Sequence, residues 1–215
     1  MRHIGIFLLT VAFIPCFNVE AQGIDYNILC GLQQVRTPAM NTIMEWTSNS
    51  LVLAPAVPAA LWVASTQCHD DANQLKQMAS ATTIAFATAA IVTEGVKFTV
   101  RRPRPYKGYP DDLIPVKTTL GYSFPSGHTS LTFSVATSLS LSCPKWYVIA
   151  PSMLWASGVA FSRLYLGVHY PSDVLTGMLV GTASGLFGYW LSKRLQEDSP
   201  IPTPKMMTMP MVIKF

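Results

Sequence analysis

Five apolar segments, Leu51 to Thr66, Met78 to Val92, Thr129 to Cys143, Trp146 to Phe161 and Val174 to Leu191, fill most of residues 51–191 without a single charged residue. Runs of that kind read as helices that are apolar on every side, and such helices belong inside a membrane or a large core. Across all 215 residues, 50% are hydrophobic and only 12% charged, with a mean hydropathy of +0.32, too apolar for an ordinary soluble domain. The expected fold class is therefore all-α: one membrane-embedded helical bundle of about five spans, covering residues 22–192. Each segment is short against the ~20 residues that a bilayer core requires. Polar ends such as Thr47 to Ser50 and Thr93 to Lys97 can extend the helices into the headgroups, and Pro55 and Pro58 are tolerable in a span packed against neighbours. A soluble helical bundle is the alternative that the short segments leave open.

The flanks agree with a membrane setting. Residues 1–21 have a basic start at Arg2, an apolar stretch from Ile4 to Phe17, and small residues before a cut site after Ala21. That pattern describes either a cleaved signal peptide or an uncleaved signal anchor, and both leave the following residues on the outer face. Leu29, Leu32, Val35, Met40, Ile43, Met44 and Trp46 recur at roughly helical spacing between Gly23 and Asn49, which suggests an amphipathic interfacial segment. Residues 193–215 read as an extended Pro- and Met-rich tail. Cys30, Cys68 and Cys143 would remain in a processed chain; an odd number without metal-ligand spacing points to structural packing.

Five crossings that start outside put Lys193 and Arg194 inside, as the positive-inside tendency prefers. The same count puts Arg101, Arg102, Arg104 and Lys107 outside, against that tendency. A bound anion would supply a reason for the exception. Nucleic acid is not the expected partner, because the net charge of +4 is concentrated locally and no basic face interleaved with aromatics is present.

Three motifs carry candidate chemistry, and the expected topology places all three on the outer side. Lys97-x6-Arg104-Pro105, at the end of the second span, offers an ammonium and a guanidinium, and the latter can grip a phosphoryl group through two parallel hydrogen bonds. Pro125-Ser126-Gly127-His128 opens the third apolar segment, so free backbone N–H groups and the positive end of a helix dipole form an anion cradle beside His128. Ser162-Arg163-x5-His169-x3-Asp173 brackets the start of the last span, with Pro171 suited to its first turn. A carboxylate four residues after a histidine can hold one ring nitrogen and leave the other free to attack. Only His3 and His69 fall outside these motifs.

Together, in this order from Lys97 to Asp173, the motifs resemble the type 2 phosphatidic acid phosphatase and vanadium haloperoxidase superfamily, in its membrane lipid phosphatase branch. The resemblance implies a helical core, His169 as nucleophile, Asp173 orienting it and His128 as general acid. Lys97, Arg104, Ser126, Gly127 and Arg163 would bind the phosphoryl oxygens. It also implies a phosphohistidine intermediate, with no metal and no cofactor. The expected partner is a phosphorylated membrane lipid, reached at a bacterial inner membrane from its periplasmic side. Phosphatidic acid, phosphatidylglycerol phosphate, undecaprenyl diphosphate and lipid A all remain open as that substrate, and nothing in the pattern speaks to oligomeric state. The alternatives are a vanadate-dependent haloperoxidase, in which the same pocket would hold vanadate, and a lipid-phosphate binding or transport protein without turnover.

Overall fold

The computed structural model describes residues 20–68 and 71–197; nearly all of the leader segment, His69 and the tail beyond residue 197 lie outside them. Among the described residues there are helices and no strands. In chain order the helices are α1 (Glu20–Gln34), α2 (Pro38–Asn49), α3 (Leu53–Gln67), α4 (Ala72–Val100), the single turn α5 (Pro105–Gly108), α6 (Gly127–Ser142), α7 (Trp146–Tyr165) and α8 (Pro171–Glu197).

The interfacial segment expected from Gly23 to Asn49 is two helices. Thr37 caps α2, its side chain accepting from the Met40 amide, and Pro38 occupies the first turn, where its missing N–H costs nothing. From there a 3-10 turn at Ser50–Val52 joins α2 to α3, so Pro38–Gln67 forms one apolar stretch of 30 residues. The short first span expected from the sequence is thereby lengthened at its start. Polar ends lengthen two others: Ala72–Gly108 and Pro171–Glu197 are also long and apolar enough to cross a membrane. Of the roughly five spans expected, these three satisfy length and hydropathy.

α6 and α7 do not meet that measure, and for α6 the reason is packing. Its 16 residues reach only ~24 Å, and they include Ser130, Thr132, Ser134, Thr137 and Ser138, all buried. α6 contacts α4, α7 and α8, so protein rather than lipid surrounds it and apolarity is not required of it. The hydroxyls of Ser130, Thr132 and Ser134 donate to carbonyls of the preceding turn, whereas those of Thr137 and Ser138 have no partner among the described residues.

Small residues bring the helices close. Gly177, Gly181 and Gly185 recur every fourth residue along α8; a Cβ at Gly177 would lie 2.8 Å from the Ser126 carbonyl, and one at Gly181 2.7 Å from Phe133 Cβ. On α4, Ala81, Ala85 and Ala89 are fully buried. Large apolar side chains turn outward instead, with Ile91, Leu154 and Leu179 each more than 70% exposed, as lipid-facing surfaces require. Among the cysteines expected to pack structurally, Cys143 is buried and Cys30 half-buried; Cys68, following the last turn of α3, is exposed and does not pack. The chain is a multi-pass membrane protein.

Candidate active site

Three helix ends converge at one end of this bundle: the C-terminus of α4, the N-terminus of α6 and the α7–α8 connection. The close α6–α8 approach joins the second and third motifs, and the Ser126 amide donates to the Asp173 carbonyl at 3.0 Å. Lys97, near the end of α4, lies against Gly127, where a Cβ would come 3.2 Å from its Nζ. Larger residues at position 127 would push this ammonium away from the head of α6. Lys97 also pairs with Glu94 at 2.8 Å. His128, the next residue, is within electrostatic reach of Arg163, His169, Lys97 and Arg104. All eight residues singled out in the sequence are thus assembled at one place.

His169 is buried in the α7–α8 connection, at 2% exposure. Its Nδ1 lies 2.8 Å from the Ser123 carbonyl and 3.5 Å from Asp173 Oδ2. The carbonyl is the nearer acceptor; paired with it, Nδ1 carries the proton and Nε2 keeps the lone pair. Asp173 contributes at longer range and is itself held firmly. Its Oδ2 accepts from the Tyr170 amide at 2.9 Å, closing the first turn of α8, and its Oδ1 accepts from Arg102 Nη1 at 2.8 Å.

Arg104 Nη1 lies 3.2 Å from His169 Nε2, which puts a guanidinium beside the nitrogen that would attack. Its remaining N–H groups reach the carbonyls of Gly121 (3.1 Å), Val168 (2.9 Å) and Leu120 (2.8 Å). Gly121 takes a positive φ of 78°, so the loop turns both of its successive carbonyls toward Arg104. Tyr106 secures the same loop by donating to the Thr119 carbonyl at 2.7 Å. Outside it lies a concavity lined by Arg101, Pro103, Arg104, Lys107, Gly121 and Tyr122.

Arg163, on the last turn of α7, is buried and donates from Nη1 to the Ser48 hydroxyl of α2, while its Nε has no partner. Neither Arg104 nor Arg163 has a carboxylate partner among the described residues. Two buried guanidinium groups thus act on one histidine with no carboxylate in ion-pair contact, although Asp173 acts on Arg104 at longer range. Among the described residues no group of three or more His, Cys, Asp or Glu is gathered to hold a metal ion.

Burial is the main cause that pushes the His169 imidazole down, to about 4, with the charges of Arg163 and Arg104 adding to it and Asp173 opposing. The sign follows from the chemistry: a neutral imidazole attacks, so lowering this value keeps the nucleophile ready at acidic pH. The acid limb of kcat/KM is expected well below the ~6.5 of an unperturbed imidazole. A pH series with detergent-solubilised protein checks this, and a limb at or above 6.5 would show that Asp173 outweighs burial and the arginines.

Sequence reasoning missed Asp25, Ser48 and Ser123. It counted Arg102 only as part of a basic cluster. Arg102 bridges Asp173 to Asp25 of α1, with Nη2 3.0 Å from Asp25 Oδ2, and its guanidinium stacks 3.9 Å from the Tyr170 ring centre.

A helical bundle carrying two histidines and a cluster of cations at one end defines a class of phosphoryl-handling membrane proteins. The family model described as the PAP2 superfamily matches residues 78–197, more than half of the chain, and the protein belongs to that superfamily. It is a membrane phosphatase, a hydrolase of phosphoric esters. Among its relatives, an undecaprenyl-diphosphatase of Sulfolobus acidocaldarius is 28% identical over 195 residues, covering 90% of this chain and 92% of that protein. A lipid A 4'-phosphatase of Bacteroides thetaiotaomicron is 28% identical over 190 residues, covering 83% of each. The crystal structure of a transmembrane PAP2-type phosphatidylglycerolphosphate phosphatase from Bacillus subtilis shares the fold, with a TM-score of 0.71 at 21% identity, over 91% of this chain and 98% of that one.

Proposed function

We propose that this protein removes phosphate from a membrane lipid through a covalent phosphohistidine on His169, without a metal ion, on the periplasmic side of a bacterial inner membrane. The observation that carries this reading is a pair of buried guanidinium groups with no carboxylate in ion-pair contact, Arg104 beside His169 Nε2 and Arg163 within electrostatic reach of the same ring. Two such charges are costly to bury alone and are offset by a bound phosphoryl group.

In the first step Nε2 forms a bond to phosphorus as the bond to the lipid oxygen breaks, and His128 gives that oxygen its proton. An entering phosphoryl dianion favours the protonated form of His128 that this requires. In the second step water attacks phosphorus, His128 takes the proton, and orthophosphate leaves neutral His169 behind. Arg104, Arg163, Lys97 and the first N–H groups of α6, which have no acceptor within the helix, hold the charge on the equatorial oxygens.

The orientation is supported by α8, which begins at the site and carries Lys193 and Arg194 about 33–35 Å away toward its other end. For the substrate, the names of the two relatives support a lipid phosphate or diphosphate, and the basic concavity beside Arg104 suits an anionic headgroup. The test is phosphate release in detergent with EDTA present, from phosphatidic acid, phosphatidylglycerol phosphate, undecaprenyl diphosphate and lipid A. Release undiminished by EDTA from at least one lipid is expected. Release that EDTA abolishes and a divalent cation restores would overturn the metal-free step.

A further inference from the structure

Asp25 stands on α1, outside the three motifs, yet it is 3% exposed and tied to the site from two directions. Its Oδ2 pairs with Arg102 Nη2 at 3.0 Å and also accepts from the Ser172 hydroxyl, while its Oδ1 accepts from the Ser172 amide at 3.0 Å. Ser172 is the second residue of α8, so Asp25 satisfies one of the orphan N–H groups of that helix from another element. Arg102 spends its other nitrogen on Asp173 Oδ1 at 2.8 Å and on the Ser172 hydroxyl at 2.7 Å. The result is an alternating row of charges, Asp25, Arg102, Asp173, ending at the His169 ring.

We propose that Asp25 is a positioning residue for phosphoryl transfer, acting through Arg102 on the Asp173 carboxylate and so on the orientation and basicity of His169. Arg102 is shared by two carboxylates. With Asp25 present, part of its charge is already matched, and Asp173 retains more of its negative field toward the imidazole. Neutralising Asp25 hands Arg102 wholly to Asp173, which weakens that field. Removing Arg102 does the reverse. Of the other charged or titratable groups near His169, Arg104, Arg163 and His128 are untouched by either change, whereas Tyr170, whose ring stacks on Arg102, loses that partner in R102Q and keeps it in D25N.

The inference rests on the phosphatase reading above, and the experiment separates the two. Wild type, D25N, R102Q and the double variant are assayed on the best lipid of the panel, with H169A as control. For D25N, kcat is expected to fall roughly tenfold with KM within about twofold, because no group touching the substrate has changed. Its acid limb should move down by roughly half a pH unit and that of R102Q up, with the double variant between them. A merely structural contact lowers the amount of folded protein and moves neither limb. If D25N is not recovered folded, R102Q alone decides, since a limb that stays in place overturns the proposal. Activity surviving in H169A would instead overturn the nucleophile assignment, whereas an inactive H169A beside unmoved limbs would remove only the role of Asp25.

Discussion

Alanine in place of His169 is expected to lower phosphate release by at least ~10³-fold, and glutamine to do the same. The two substitutions fail for one chemical reason and differ in structure. Alanine leaves the Ser123 carbonyl and the Arg104 guanidinium without their ring partners, at ~1–3 kcal/mol for an unsatisfied buried group. Glutamine can still donate to the carbonyl, and it cannot form a phosphorus–nitrogen bond that turns over. Acid-sensitive, base-stable label should remain on wild-type protein after quenching with a labelled lipid phosphate, and on neither variant. If H169Q retained more than a tenth of the wild-type rate, His169 would be a ligand of the phosphoryl group, and the nucleophile would have to be sought elsewhere, with His128 the nearest candidate.

The sequence reading reached the helical architecture because uncharged apolar runs say little except helix in this context. It placed the motif residues on helix ends correctly, since Pro171 and the Ser126-Gly127 pair mark starts through their own backbone chemistry. Less legible was anything whose meaning depends on a neighbour far along the chain. Asp25 and Arg102 are 77 residues apart, Ser48 and Arg163 are 115 apart, and neither pair has a spacing rule. The acceptor nearest to His169 Nδ1 is a backbone carbonyl, which every residue possesses, so no residue type could have announced Ser123. Hydropathy understated α6 for a related reason. Its serines and threonines look polar in isolation, but the hydroxyls of Ser130, Ser134 and Ser140 are paired with carbonyls of the preceding turn, and other helices enclose it. The α8 glycine repeat is readable as a helix contact surface, and it brings α8 against Ser126, Ser130 and Ser134 of the α6 segment.

Methionine in place of Arg163 is expected to separate activity from stability in opposite directions. Arg163 is 4% exposed, its Nε has no partner, and no carboxylate balances it, so in the empty enzyme its charge is held away from water at a net cost. An apolar, unbranched side chain that reaches as far as the Nε position removes that cost. The thermal midpoint in detergent should rise, by ~2–4 °C for each kcal/mol recovered in a protein of this size. Turnover should fall ~10²–10³-fold, the usual consequence of losing one donor aimed at the charge of the transition state. Orthophosphate or vanadate should then raise the midpoint of the wild type and have little effect on the variant, because a ligand stabilises only the form that binds it. A variant that lost stability along with activity would show that the Ser48 contact, which ties α7 to α2, outweighs the burial of the charge. Equal stabilisation of both proteins by vanadate would place the phosphoryl group away from Arg163, against Arg104 and Lys97 alone.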